Sequence, residues 1–131
     1  MTIEWIALNS VLAMHKRQIA EHGGIDGLRD EGLLLSAMAR PENLAAYGEN
    51  VDLAALAASY AFGIAKNHPF LDGNKRTAFV IAVTFLNLNG YDFDAPSDDT
   101  YTLFLGLAEG SISEDEVAAW FRERLRHLTS D

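Results

Sequence analysis

Apolar residues recur at intervals of three and four along most of the chain, which is the pattern of helices that bury one face. Breaks in this pattern fall at glycines, prolines and polar capping residues, so it predicts six helices. We expect them at Thr2 to about Glu21, from an N-cap at Asp30 to just before Pro41, and over residues 52–66, 74–88, 97–110 and 113–128. Residues 91–94 alternate and are compatible with a short extended piece, but two apolar positions are too few to establish a strand. The pattern therefore predicts an all-α fold.

The composition fits one compact domain spanning residues 1–131, because 49% of the chain is hydrophobic and can form a core. Ten Lys and Arg against nineteen Asp and Glu give a formal net charge of −9. This charge argues against direct binding to nucleic acid or to an anionic membrane, since both need a basic surface. The absence of cysteine excludes disulfides, zinc–thiolate sites and a cysteine nucleophile.

No stretch reaches the roughly 20 apolar residues that a membrane helix needs, and the first residues lack the positive segment of an export signal. We therefore expect a soluble, cytoplasmic protein.

The chemistry is concentrated in residues 67–77, which read NHPFLDGNKRT. A His-Pro pair ends one apolar helix, a glycine permits a tight turn, and a second apolar helix begins at Asn74. The first backbone N–H groups of that helix have no intrahelical partner and form a potential anion site. Lys75 and Arg76 lie in the same turn, where they oppose the helix dipole. This arrangement favours a polyanion, and a phosphate chain is the natural candidate.

Three residues of the preceding loop supply what phosphate chemistry requires. Asp72 offers hard oxygen ligands that suit Mg²⁺ bridging phosphates. His68 offers an imidazole, a side chain that can accept a proton from an attacking hydroxyl. Phe70 stands between the polar residues His68 and Asp72 and is interpreted as an anchor that buries the loop. The loop therefore predicts a phosphate-transfer site.

Residues 68–76, HPFLDGNKR, resemble the Fic-family motif H-P-F-x-[DE]-G-N-x-R. The lysine at position 75 resembles the Doc branch of this family, the "death on curing" toxins of bacterial toxin–antitoxin modules. Residues 22–41 resemble the family segment that precedes the motif, and the likeness extends over about residues 22–125.

The resemblance implies a compact all-α bundle in which the motif forms a loop leading into a central helix. It also implies ATP and Mg²⁺ as cofactors, with His68 as the general base and Asp72 as the metal ligand. The residues holding the ATP phosphates would be Gly73, Asn74, Lys75 and Arg76.

The family uses this site for two reactions. Fic proteins generally transfer AMP from ATP to a hydroxyl of a target protein, whereas Doc-like members transfer the γ-phosphate to a threonine of the elongation factor EF-Tu and so block translation. Lys75 is Doc-like, while Pro69 and Gly73 are more Fic-like. We predict a Doc-like kinase, with AMP transfer as the alternative. A non-enzymatic helical adaptor is disfavoured because no motif position is missing.

Regulation is predicted from a pattern that the chain lacks. Many Fic proteins carry an inhibitory helix with the pattern [ST]-x-x-x-E-[GN], and no Glu-Gly or Glu-Asn pair here has Ser or Thr at the required position. We therefore expect a separate antitoxin that lays an inhibitory amphipathic helix in an apolar groove.

Two further expectations concern residues outside the motif. Residues 41–50 are the least regular stretch, and the resemblance implies that they form the flap with which the family aligns its target; a plain connecting loop is the alternative. His15, His22 and His127 are expected to be surface residues without a role.

Overall fold

The computed structural model describes residues 2–93 and 97–128, and these residues form six helices and two short strands. In chain order the elements are α1 (Leu8–His22), α2 (Glu31–Tyr47), α3 (Leu53–Asn67), α4 (Asn74–Leu88), β1 (Tyr91–Phe93), α5 (Ser97–Glu109), α6 (Glu114–Arg124) and β2 (Leu125–His127). The predicted helical fold is confirmed. Within the described ranges no helix is long and apolar enough to cross a membrane.

Helix α3 is the most enclosed element and packs against α2, α4, α5 and α6. Its many small residues allow close approach of these neighbours. A Cβ atom at Gly63 would lie only 3.0 Å from the Cα atom of Ala37 on α2, so a side chain there would push the two helices apart. Helix α4 packs against α3, α1, α5 and β1. The motif loop therefore joins two helices of the interior.

Side chains cap three of the helices. Asp30 and Asp52 each accept a hydrogen bond at 2.9 Å from the backbone N–H group three residues later. Ser113 and Glu116 form a reciprocal capping box at the start of α6. The caps predicted at Asp30 and Ser113 are confirmed, because these side chains satisfy N–H groups that the helix leaves without a partner.

Helix α2 continues through Pro41 to Tyr47, so the expectation that it ends before Pro41 is wrong. Pro41 is buried, and Leu44 and Ala45 of the additional turns pack against the core. Burial of these apolar side chains outweighs the hydrogen bond that proline removes and its restriction of the preceding residue. The expected irregular segment is therefore helical over most of its length.

Strands β1 and β2 pair in antiparallel register, with Tyr91 opposite His127 and Phe93 opposite Leu125. The alternation of residues 91–94 is consistent with the short extended piece found here but does not establish its pairing. The expectation that the last helix extends to residue 128 is wrong, because α6 ends at Arg124. The pairing depends on contacts between distant parts of the chain, including the edge-on packing of Phe93 against Phe121 with ring centres 5.5 Å apart, and a local pattern does not contain such contacts.

Helix α1 begins at Leu8 rather than Thr2. The preceding residues are held by contacts with α3 and α4 instead. The backbone N–H of Ile6 donates to the hydroxyl of Tyr60 at 3.3 Å, and the Trp5 ring stacks on Phe85 with centroids 5.8 Å apart. Trp5 therefore packs against the core.

Candidate active site

The loop between α3 and α4 places the motif histidine at a strained turn. His68 caps the end of α3 in the left-handed conformation, with φ 48° and ψ 56°. This region is uncommon for a residue with a side chain, and His68 also precedes a proline. Its side chain is exposed. The loop ends at Gly73, which is also left-handed (φ 74°) and provides the N-cap of α4.

Two buried residues fix the shape of the loop. Phe70 is buried, as its interpretation as an anchor predicted. The Asn74 side chain donates to the carbonyl of Phe70 and accepts from its N–H group, each at 3.0 Å. Both the oxygen and the nitrogen of this side-chain amide are thus occupied by the loop. The group of Asn74 that remains for an anion is its backbone N–H, which lies in the first turn of α4.

Asp72 is exposed and its carboxylate is oriented by backbone groups. One oxygen accepts from the N–H of Gly73 at 2.9 Å and the other from the N–H of Ile25 at 3.3 Å. A Cβ atom at Gly24 would lie 2.7 Å from the second oxygen, so the carboxylate has its place only because residue 24 is a glycine. The remaining lone pairs face outward and fit a hard cation such as Mg²⁺.

The described residues contain no group of three or more acidic or histidine side chains that could bind a metal by themselves. A cation at Asp72 would therefore take its other ligands from phosphate oxygens and water, which is how Mg²⁺ is commonly held at nucleotide sites.

A second segment, residues 24–30, clamps the motif loop from outside. Leu28 and Phe70 form an antiparallel bridge, and the N–H of Leu71 donates to the carbonyl of Gly27 at 3.0 Å. The N–H groups of Arg29 and Asp30 both donate to the carbonyl of Pro69, at 2.7 and 3.0 Å. The hydrophobic pattern predicts no helix or strand between the first two helices, and so gives no indication of this clamp segment. The only signal for it in the sequence was the likeness of residues 22–41 to the segment ahead of the family motif.

His15 belongs to this site, and the expectation that it lies on the surface is wrong. Only 3% of its surface is exposed. Its ring stacks on Phe70 with centroids 3.7 Å apart and planes inclined by 6°, and its Nε2 atom lies 2.8 Å from the carbonyl oxygen of Asp72. Nδ1 faces Asp26 at 3.9 Å. These partners come from distant positions, so the spacing of the histidines along the chain could not reveal them. His22 is exposed, as expected.

The start of α4 has the character expected of an anion site. Lys75 and Arg76 are exposed in its first turn, which contains no acidic residue. Among residues 2–93 and 97–128 neither cation forms an ion pair. Since glycine is the N-cap, the first N–H groups lack the side-chain cap that α2, α3 and α6 have. The two cations and the free N–H groups therefore lie together at the start of α4, where they are suited to binding an anion.

A cavity of about 460 Å³ adjoins these cations. Its walls are mostly apolar and come from α4, β1 and α5. The lining residues are Lys75, Arg76, Phe79, Val83, Asp92, Phe93, Thr100, Tyr101, Phe104 and Leu105. The site thus combines an exposed imidazole, an oriented carboxylate and a cationic helix start with an apolar cavity beside it. Together these groups are suited to binding a nucleotide and accepting a proton.

This fold and site define a protein of the Fic/Doc class. Residues 5–86 match the family described as "Fic/DOC family", and the chain belongs to it. The resemblance based on residues 68–76 is confirmed.

Two relatives are similar over most of their length. The chain is 36% identical to the "Protein kinase doc" of Escherichia phage P1 over 118 residues, which cover 89% of this chain and 92% of that protein. It is 44% identical to the "Toxin Doc" of Mycolicibacterium smegmatis (strain ATCC 700084 / mc(2)155) over 103 residues, which cover 74% of this chain and 77% of that protein. The predicted enzyme class agrees with the name of the phage relative.

Proposed function

We propose that this protein is the toxin of a bacterial toxin–antitoxin module and acts as a Doc-like protein kinase on a Ser or Thr hydroxyl. The observation that carries the proposal is the exposed His68 next to a helix start with two cations that have no ion-pair partner among the described residues. The names of the phage and mycobacterial relatives support the kinase and toxin assignments.

In the proposed reaction a hydroxyl oxygen of the target attacks the γ-phosphorus of ATP. His68 takes the hydroxyl proton as the new oxygen–phosphorus bond forms. The bond between the γ-phosphorus and its bridging oxygen breaks, and ADP leaves with the bonding electrons. The left-handed turn at His68 presents the imidazole away from the buried frame of the loop.

The phosphate chain would lie on the start of α4. Lys75 and Arg76 would neutralise its oxygens, the Asn74 backbone N–H would donate to it, and Gly73 would let it approach the backbone. Asp72 would hold Mg²⁺, which would supply positive charge to neutralise the phosphates. These roles leave the protein mainly positioning and charge stabilisation to perform, which is the usual demand of phosphoryl transfer.

Lys75 favours phosphate over AMP as the transferred group. AMP-transferring Fic proteins have a second glycine at this position, which leaves room for the inner phosphates near the backbone. A lysine side chain occupies that space and adds a charge, so the nucleotide is expected to present its γ-phosphate to His68. Only one phosphorus can lie at about 3–3.5 Å from the attacking oxygen, which makes the choice exclusive.

The test uses ATP labelled separately at the α- and γ-phosphates, with Mg²⁺ and a bacterial translation extract. Label on a protein from the γ position alone is expected, and mass spectrometry of that protein identifies the target and the modified residue. His68→Ala provides the inactive control. Label from the α position would replace the kinase by an AMP transferase, and no label from either would overturn the enzymatic proposal.

The proposed target is EF-Tu, in the cytoplasm. Its identification as the labelled protein supports the proposal, and a different labelled protein excludes it.

The proposed antitoxin would place an amphipathic helix in the cavity beside Arg76. The apolar walls suit its apolar face, and the cations at one end suit an acidic side chain. Coexpression with the neighbouring reading frame, in a His68→Ala background that removes toxicity, should yield a copurifying complex. Val83→Lys is expected to abolish copurification, whereas Leu35→Lys, on an exposed site of α2, should preserve it. Equal behaviour of both variants would place the antitoxin elsewhere.

A further inference from the structure

The guanidinium group of Arg29 binds the backbone carbonyls of the two peptides that flank the Cα atom of His68. Its Nε donates to the carbonyl of His68 at 2.6 Å, and its Nη2 donates to the carbonyl of Asn67 at 2.7 Å. These carbonyls lie at the end of α3, where a helix leaves such groups without intrahelical partners. A cation is also favourable at this end of the helix dipole.

We infer that Arg29 is a positioning residue that holds His68 in its reactive orientation. The inference rests on the proposed function, in which His68 is the base. Arg29 acts through the backbone of His68 and is not assigned a contact with ATP or with the target.

His68 needs such a hold because its backbone conformation is sparsely populated. It is left-handed with φ 48°, and the following proline restricts it further. A residue in this region persists only where its surroundings determine it. With the guanidinium removed, the two carbonyls can turn towards water, and the peptide planes that aim the imidazole are free to rotate.

The other contacts of this region do not replace Arg29. The clamp segment holds Pro69 through the backbone N–H groups of Arg29 and Asp30, which every substitution at residue 29 except proline retains. Phe70 and Asn74 hold the loop beyond the proline. Only the Arg29 side chain binds the carbonyl of His68 itself among the described hydrogen bonds. Its function is therefore separable from that of the clamp segment.

The side chain of Arg29 is exposed, so its substitution can be tested without disturbing the packing of the core. Truncation leaves no cavity in the core and removes only hydrogen bonds of an exposed side chain, so the Arg29→Ala variant is expected to fold with at most a small fall in melting temperature. Transfer of labelled phosphate should then show a kcat about 10- to 100-fold lower, since a small misplacement of a reacting group has effects of this size. The KM for ATP should stay within about twofold, because uniform binding of ATP is not altered.

Arg29→Lys should restore part of kcat, because an ammonium group can reach a carbonyl but lacks the fork that spans two of them. Arg17→Ala is the matched control. Arg17 is equally an exposed arginine, but it pairs with Glu21 at 2.9 Å on α1, away from the loop. Its kinetic constants are expected to equal those of the wild type.

Amide hydrogen exchange supplies a measurement that does not depend on catalysis. The N–H of His68 donates to the carbonyl of Ile64 at 3.2 Å, and this group should exchange faster in Arg29→Ala and at the wild-type rate in Arg17→Ala. Faster exchange with unchanged kcat would reduce Arg29 to a structural role and overturn the inference. A raised KM for ATP with unchanged kcat would overturn it as well, since Arg29 would then bind phosphate. No transfer by the wild type would refute the proposed function, whereas unchanged exchange would refute the hold of Arg29 on His68.

Discussion

The stacking of His15 on Phe70 makes a prediction about stability. His15→Ala removes the ring that lies 3.7 Å from the Phe70 ring, together with the hydrogen bond at 2.8 Å to the carbonyl of Asp72. Because His15 is buried, the truncation also leaves a cavity beneath the motif loop. His15→Phe preserves an aromatic ring in this place and removes the hydrogen bond together with the weaker contact between Nδ1 and Asp26.

The magnitude follows from these parts. A buried aromatic pair contributes about 0.5–1.5 kcal/mol beyond its buried area, and a typical hydrogen bond contributes about 0.5–1.5 kcal/mol. With the cavity included, His15→Ala is expected to lower the free energy of unfolding by about 2–4 kcal/mol. His15→Phe should cost about 1 kcal/mol. His22→Ala, an exposed histidine of the same helix, should change it by no more than about 0.5 kcal/mol.

Urea unfolding followed by circular dichroism measures all three values at one pH, with phosphate transfer assayed below the transition. Transfer should fall in both His15 variants, because the hydrogen bond they lose holds the backbone of Asp72. A cost for His15→Ala no larger than that for His22→Ala would refute the packing argument.

The remaining predictions concern the exposed side chains. His68→Ala should lower the rate of phosphate transfer by about 10²–10⁴ with an unchanged melting temperature, and retained toxicity at matched expression would contradict the assignment. Asp72→Ala should lower activity and the dependence of activity on Mg²⁺ together, as an Mg²⁺ titration measures. Arg76→Ala should weaken ATP binding in calorimetry more than Arg76→Lys, which should restore it only in part because guanidinium binds phosphate as a planar fork. A hydrogen bond from Arg122 lowers the pKa of Asp52. The ionised carboxylate therefore stabilises the fold at pH values above the ordinary pKa of an aspartate, and this contribution is lost as the pH falls below about 4. Unfolding of Asp52→Asn, which can still cap α3, should differ from that of the wild type by less than about 1 kcal/mol at pH 7, and the difference should shrink in acid.

Helices with local start and stop signals were predictable from the sequence. Asp30 and Ser113 cap the helices that follow them, and the boundaries of α4 agree with the prediction. The same rules failed at Pro41, where burial of the following turns decided the structure. They failed again at β2, whose residues pair with a strand more than thirty positions away. Local rules carry no information about such contacts.

The candidate site likewise has one part that the sequence predicts and another that it does not. Its exposed groups lie within nine consecutive residues, so their residue types and spacing identify them. The frame that orients them could not be recognised in this way. His15 and Arg29 lie 53 and 39 positions before His68, and each contacts the loop through a backbone carbonyl, which leaves no pattern of side-chain types in the sequence.

The separation between exposed reactive groups and a supporting frame has a physical reason. A base and an anion site must face the solvent to meet ATP and a target hydroxyl, and exposed groups contribute little to holding their own positions. The loop therefore takes its rigidity from contacts that do not touch the substrates, namely the buried Phe70 and Asn74 and the backbone bonds of residues 24–30. Substitutions of the exposed groups should accordingly change kinetic constants with little effect on stability, whereas substitutions of the buried frame should change both. Arg29 is informative because it is exposed and yet belongs to the frame, so it can be altered without loss of core packing.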